Sequence, residues 1–310
     1  MATYDHLNPM AQAITDQESK ARLAFINTDH WIQYDRAEEI LSSFEALLQA
    51  PPINRPLCYI LLGSTQNGKT SVLKEFANRH PFERGTGRYG ALTPVIFTIA
   101  PTKPDEAKLE EVILQGYDNR FHPKNALHRR GMIATSIRNG GTKILLIDEI
   151  QQMFKGRSIR NPSMLEALKD YSNRYGISVV IAGTPEAYLT VQTNPQIANR
   201  FKPLFLPLWK PGPEVLKFIA AYERILPLRK PSGLTSKEIA SHLVERMEGM
   251  IGELVELLRF AAEKAIITGE ERITLQLLAS IDHLPASKRK DAAEAYVRSF
   301  GLRFPNDVQS

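Results

Sequence analysis

Cysteine is almost missing from this chain. Cys58 is the only one in 310 residues, so no internal disulfide can form. A single thiol inside an apolar run reads as a core residue with no reactive role. Long apolar runs are also missing: none approaches the ~20 residues that a bilayer-spanning helix needs. The opening Met1-Ala-Thr-Tyr-Asp-His6 has neither a basic n-region nor an apolar h-region, so export is not expected and a reduced, cytoplasmic setting is. The seven histidines show no ligand spacing with Cys58, which speaks against a Cys/His metal site. Internal repeats and low-complexity tracts are absent, and no carboxylate triad of the nuclease or transposase kind stands out. What remains is ordinary for a globular protein, 43% hydrophobic and 24% charged, with enough length for two domains plus tails.

Acidic residues are missing from two stretches. Residues 119–138 hold Arg120, Lys124, Arg129, Arg130 and Arg138 with no Asp or Glu. Residues 151–165 hold Lys155, Arg157 and Arg160, again without an acid. The overall charge is only +5, so its distribution matters more than its total. One such cluster reads as a solvated helix face. Two of them flanking one strand favour contact with a polyanion.

That strand belongs to the most specific feature of the chain. Gly63-Ser-Thr-Gln-Asn-Gly-Lys-Thr70 is a GxxxxGKT loop, preceded by the apolar run Leu57–Leu62 and followed by the helix-like Ser71–Ala77. A strand before and a helix after turn the pattern into a phosphate site. Backbone N–H groups of Gly63, Ser64, Thr65, Gln66, Asn67, Gly68 and the Ser71 end of the helix are placed to cradle phosphate. Lys69 reaches the β- and γ-phosphates, and the Thr70 hydroxyl is a Mg²⁺ ligand. Downstream, Lys143-Ile-Leu-Leu-Ile-Asp-Glu149 reads as a strand buried on both faces and ending in two carboxylates. Asp148 is placed to hold Mg²⁺ and Glu149 to orient and polarise an attacking water.

The organisation is an α/β core between helical segments. Residues 1–52 read as an N-terminal helical extension, with helices over 16–26 and 34–50, the second ended by Pro51-Pro52. Residues 53–208 alternate strands (57–62, 94–99, 144–149, 177–182, 204–207) with helices, which implies a parallel sheet covered on both sides. From Trp209-Lys-Pro-Gly-Pro213 only helical periodicity continues, giving a small helical lid over 209–283 and a basic tail over 284–310.

A phosphate-loop core followed by a helical lid resembles the AAA+ ATPases. That resemblance implies that Thr184, at the end of a strand, is the polar sensor-1 residue. It makes Arg200 of Asn199-Arg-Phe201 an arginine finger that reaches the γ-phosphate of a neighbouring subunit. The sensor-2 position falls on Gly252, where the superfamily often carries arginine, and this departure implies slow or partner-dependent turnover. At family level the chain resembles TniB proteins. The resemblance is carried by Asp29-His-Trp-Ile-Gln-Tyr-Asp-Arg-Ala37, the phosphate loop, Leu146-Ile-Asp-Glu-Ile-Gln151, Ile181-Ala-Gly-Thr-Pro185, Ile197-Ala-Asn-Arg-Phe201, Leu226-Pro-Leu-Arg-Lys-Pro-Ser232 and Glu248-Gly-Met-Ile-Gly-Glu253, over roughly 6–285.

TniB is related to TnsC and MuB. The resemblance implies a nucleoid-associated bacterial ATPase, using ATP and Mg²⁺, that assembles with itself as rings or filaments on double-stranded DNA. It marks the target site and recruits a DDE transposase of the TniA or TnsB type and a TniQ-type targeting protein. In relatives the DNA contacts come from the segment before the Asp-Glu strand, which here offers Lys103, Arg120, Lys124, Arg129 and Arg130. Backbone contacts of this kind carry little sequence information. Three other readings stand beside it: a helicase-loader-type AAA+ ATPase, a P-loop small-molecule phosphotransferase, and an adaptor that holds ATP without splitting it.

Overall fold

The computed structural model describes residues 4–87, 90–102, 105–117, 124–154 and 163–301. Lys103, Arg120, Lys155, Arg157 and Arg160 therefore lie outside the described residues. In chain order the elements are α1 (Pro9–Thr15), α2 (Ser19–Ile26), α3 (Asp35–Gln49), β1 (Cys58–Gly63), α4 (Lys69–Arg79), β2 (Glu83–Gly87), β3 (Gly90–Leu92), β4 (Val95–Ile99), α5 (Glu106–Gln115), α6 (Ala126–Gly140), β5 (Ile144–Asp148), a 3-10 turn (Ile150–Phe154), α7 (Ser163–Tyr175), β6 (Ser178–Gly183), α8 (Pro185–Gln192), α9 (Pro195–Ala198), β7 (Phe201–Leu206), α10 (Pro213–Glu223), α11 (Lys237–Met247), α12 (Ile251–Ile267), α13 (Leu275–Ala279) and α14 (Ala286–Ser299). They form two compact units: residues 33–207, and residues 1–32 together with 208–310.

The first unit is built on a five-stranded sheet of order β4-β5-β6-β1-β7, with every neighbouring pair parallel. The strands are apolar because both faces are covered: every residue of β5 and β6 is buried. Register pairs Leu62 with Gly183 and Gly63 with Leu206, so the ends of β6 and β7 flank the end of β1. Ile99 pairs with Asp148 at the next edge. β1 sits between strands that follow it in the chain, and such a reversal of strand order leaves a crevice at the C-terminal strand ends. A short antiparallel hairpin, β2–β3, lies outside the main sheet. Its glycine-rich sequence has no period-2 apolar pattern, which is why no strand was expected there.

α3 packs in this unit. Its buried stripe of Ala37, Ile40, Leu41, Phe44 and Leu47 has the expected helical spacing. Phe44 meets Phe76 of α4 edge-on at 5.3 Å. The 34–50 segment therefore groups with the sheet, while residues 1–32 group with the C-terminal helices.

In that second unit α1 begins where Asn8-Pro9 signals a start: Asn8 caps Ala11 N–H and Pro9 occupies the first turn. Arg22 of α2 is buried. Its guanidinium donates to both carboxylate oxygens of Glu271, at 2.9 and 2.5 Å, and twice to the Pro227 carbonyl, at 3.0 and 2.6 Å. Glu223, ending α10, accepts the N–H groups of Ser232, Gly233 and Leu234 and holds the loop before α11. α14 carries the 286–299 part of the basic segment and has no buried residue. Among the described residues no helix is long and apolar enough to cross a membrane.

Candidate functional site

The phosphate loop is shaped by backbone that side chains tolerate poorly. Gln66 and Gly68 both have positive φ, 58° and 86°. A Cβ on Gly63 would sit 3.1 Å from the Leu206 Cβ and carbonyl oxygen, so β1 leaves the sheet under tight contact with β7. Asn67 is buried, and its amide donates to the carbonyls of Leu206 and Pro207 at 2.9 and 2.8 Å, tying the loop to the end of β7. Ser64 is half-exposed and Thr65 and Gln66 are exposed, while Thr70 and Ser71 open α4. No side chain caps that helix. Its first-turn N–H groups and positive dipole end therefore face an anion site. The Lys69 ammonium donates to the carbonyls of Gly63 and Ser64 at 2.8 and 2.7 Å. Burial lowers its pKa, and Asp148, Glu149 and Glu186 work against that shift.

Strand pairing brings the second half of the site to the first. Thr70 and Asp148 lie 78 positions apart in sequence, yet Thr70 Oγ1 donates to Asp148 Oδ2 at 2.5 Å. The other Asp148 oxygen accepts the Glu149 N–H at 2.8 Å. Glu149 adopts a positive φ of 57°, uncommon outside glycine, which turns the chain sharply as it leaves β5. Gln151 Nε2 then donates to Glu149 Oε2 at 2.6 Å and holds that carboxylate. The sequence assigns Asn67 only a backbone part in the phosphate cradle and Gln151 only a place in the string after Asp148-Glu149; the side-chain ties of both emerge in the fold.

Gly183 closes the packing beneath them. A Cβ there would lie 2.6 Å from Ile150 Cγ2, 3.1 Å from Gln151 Oε1 and 3.2 Å from the Ala187 Cβ. We expect Gly183→Ala to push the 3-10 turn away from β6 and to cost about 1–3 kcal/mol of stability, the usual range for overpacking. Denaturant unfolding would measure it, and an unchanged midpoint would show that the turn yields freely.

Thr184 follows at the start of α8. A hydrogen bond from Thr184 holds the Glu186 carboxyl below the usual carboxylate range, with its own backbone amide and Lys69 adding to the effect against burial. Glu186 is a third carboxylate at this end of the sheet that sequence reading did not single out; no motif marks it.

Arg200 precedes β7. Its Nη2 donates to Ser172 Oγ at 2.8 Å and Asn173 Oδ1 at 3.0 Å on α7, while its Nε is buried without a partner. Gly252 lies in the first turn of α12. The basic stretch before β5 looks different in space than in sequence. Lys124 is exposed. Arg129 Nε donates to Glu110 at 2.5 Å, and Arg130 binds Glu110 at 3.0 Å and Glu106 at 2.9 Å. Tyr171 OH also donates to Glu110, at 2.7 Å. A stretch free of acids along the chain thus faces two from α5, and part of its charge is neutralised within the fold.

Known structures share this fold. The chain is similar to the ORC1 protein of Aeropyrum pernix solved with DNA, at 16% identity and a TM-score of 0.57, over 91% of this chain and 72% of that one. It is similar to the ORC2 protein of the same organism in its ADP form, at 15% identity and a TM-score of 0.59, over 83% and 70% of the two chains. Cdc6p of Pyrobaculum aerophilum matches at 14% identity and a TM-score of 0.53, over 81% and 67%. The fold is that of AAA+ P-loop ATPases. No curated protein matches the sequence. The profile of the family described as "Bacterial TniB protein" matches residues 22–211.

Proposed function

The chain belongs to the TniB family, and on that premise we propose that it is an ATPase that assembles on double-stranded DNA to regulate transposition. The observation that carries the ATPase reading is the meeting of Thr70 and Asp148 at 2.5 Å beside the uncapped start of α4, with Glu149 next in the chain. ATP is the substrate, cradled by residues 63–71 with Lys69 on its outer phosphates. Mg²⁺, when bound, neutralises phosphate charge, and the hydroxyl and carboxylate oxygens of Thr70 and Asp148 are donors that suit a hard cation. Glu149, held by Gln151, orients a water for attack, and Thr184, which follows the neighbouring strand, contacts it.

In this reading Arg200 leaves Ser172 and Asn173 to complete the site of a neighbouring copy, which makes turnover depend on assembly. Hydrolysis then loosens the interface. A relative of the same fold, ORC1 of Aeropyrum pernix, was solved with DNA, which supports duplex DNA as a partner here. Lys124, Arg130 and Arg138 are the exposed cations in the described part of the segment. Arg129 and Arg130 contribute less, because Glu110 and Glu106 already take part of their charge. The DNA-bound assembly recruits a DDE transposase and a TniQ-type targeting protein.

Glu149→Gln tests the assignment. It keeps the shape of the side chain and removes the base, so ATP-dependent assembly on DNA is expected to form and persist while phosphate release falls by roughly 10²–10⁴-fold. Turnover at the wild-type rate, or filaments that disassemble as quickly as the wild type in electron micrographs, would remove Glu149 from this role.

A further inference from the structure

A second cluster of ligating groups lies in the helical unit, in residues that the nucleotide site does not use. Glu253 and Glu256 are one turn apart on α12, and His283 lies in the link between α13 and α14. One ligand atom from each falls within 4.8 Å of the other two. Glu253 is 1% exposed and His283 5%. Burying an ionised carboxylate beside an imidazole is costly unless each polar atom finds a partner.

Glu253 Oε1 has one: Arg289 Nη2 of α14, at 2.5 Å. Glu253 Oε2 and His283 Nε2 do not. They stand 3.2 Å apart, yet neither makes a hydrogen bond, because they are not aligned on each other. A satisfied His–Glu pair at that distance would aim its N–H along the line between the two atoms. Two ligands of one tetrahedral zinc ion, each at about 2.0–2.1 Å from the metal, are instead separated by about 3.3 Å, with both lone pairs directed at the ion. The 3.2 Å separation matches that edge, and two buried ligand atoms without a hydrogen bond are what an ion between them would satisfy.

We propose that Glu253, Glu256 and His283 bind one borderline divalent cation of the zinc class, with Glu253 Oε2 and His283 Nε2 as buried ligands. Glu256, half-buried, supplies the third ligand and leaves a fourth position for water. Arg289 then acts as an outer partner that orients the Glu253 carboxylate through its other oxygen, as ligating carboxylates commonly require. Arg246 fixes the other side: its guanidinium contacts the His283 carbonyl and donates to the Leu278 carbonyl at 3.0 Å. An imidazole in the set selects against Mg²⁺, which prefers all-oxygen coordination. The bound ion would pin the link between α13 and α14 to the first two turns of α12. The compact His and Cys spacings that signal metal in sequence are absent because two ligands come from one helix turn and the third follows a separate helix.

The test uses the full chain, stripped with chelator and free of nucleotide. Zn²⁺ is titrated against a chromophoric chelator, and Co²⁺ is added separately to read the intense visible absorption of a tetrahedral site. One equivalent per chain is expected, with a raised thermal midpoint and no displacement by excess Mg²⁺. Asp148→Asn should keep that equivalent, which separates it from any ion at the phosphate loop. His283→Gln and Glu256→Gln should each weaken Zn²⁺ by at least the roughly 10–100-fold that even an outer-shell partner contributes. Glu256 is half-exposed, so its variant reports even where His283→Gln disturbs folding. Failure of the wild type to take up one equivalent, or unchanged affinity in Glu256→Gln, would leave His283 and Glu253 as a buried pair only and overturn the proposal.

Discussion

Replacing Lys69 with alanine is expected to abolish nucleotide-dependent binding to DNA. Lys69 is 6% exposed, and its ammonium spends two of its three N–H groups on the Gly63 and Ser64 carbonyls beside the start of α4. Those carbonyls mark where it waits. A triphosphate offers it charged acceptors, and charge-assisted hydrogen bonds are stronger than those to neutral carbonyls. Removing one member of such a buried, hydrogen-bonded charge pair costs roughly 2–5 kcal/mol, which is about 30- to 4,000-fold in nucleotide affinity. Assembly is proposed to need bound ATP, so DNA binding should fall with it. A fluorescent ATP analogue measures the first effect, and DNA co-sedimentation across a salt series measures the second. In the wild type, affinity for DNA should drop steeply with salt and vary little with sequence. A Lys69→Ala protein that still bound DNA only when ATP was added would sever the link between the loop and assembly. A flat salt response in the wild type would argue against phosphate contacts.

Arg22→Ala should be the most damaging single change to the helical unit. The guanidinium makes four hydrogen bonds from a buried position, and among the described residues Arg229 is what remains beside the Glu271 carboxylate once it is gone, its amide at 3.2 Å and its guanidinium at 3.7 Å. Removing one partner of a buried ion pair leaves the other charge uncompensated and costs about 3–5 kcal/mol. Glu271 also predicts the pH dependence. Burial pushes its carboxyl up, but the hydrogen bonds from Arg22 and the Arg229 amide, with both guanidinium charges, outweigh burial and hold it below its ordinary value. A depressed folded-state pKa means that this stabilisation is fully present above the ordinary carboxylate range. It is lost as pH falls through the lower, folded value. Denaturant unfolding at neutral pH should therefore show a large loss in Arg22→Ala, and the gap from wild type should shrink in acid. Arg22→Met combined with Glu271→Gln should recover part of the loss, since neither partner is then a buried charge. A loss under about 1 kcal/mol at neutral pH would show that water replaces the guanidinium.

The two halves of the nucleotide site were legible in sequence for a local reason. A glycine-rich turn before Lys69-Thr70 and a wholly apolar run before Asp148-Glu149 each state their chemistry within eight residues. The strands β1, β4, β5 and β6 were legible because burial on both faces demands continuous apolar residues. α8 and α9 were not separated from the loops around them, being short and punctuated by Pro185 and Pro195. The grip of Gln151 on Glu149 was hidden because it depends on a left-handed turn at a glutamate, a conformation that composition does not announce.

Charge showed the limit most clearly. Arg129 and Arg130 sit in a stretch without acids, yet α5 sets Glu106 and Glu110 against them, and Arg22 passes over nearby Asp16 and Glu18 in sequence for a partner 249 positions away. By itself the order of amino acids determined the phosphate loop, the carboxylate pair, the parallel α/β plan and the helical C-terminal region, since each needs only neighbouring residues to express a hydrogen-bonding or packing requirement. Only the tertiary structure decided that residues 1–32 join the C-terminal helices, which arginines are already spoken for, and that Glu253, Glu256 and His283 converge. A residue's period and polarity state what kind of neighbour it needs, and chain topology alone selects which distant residue fills that place.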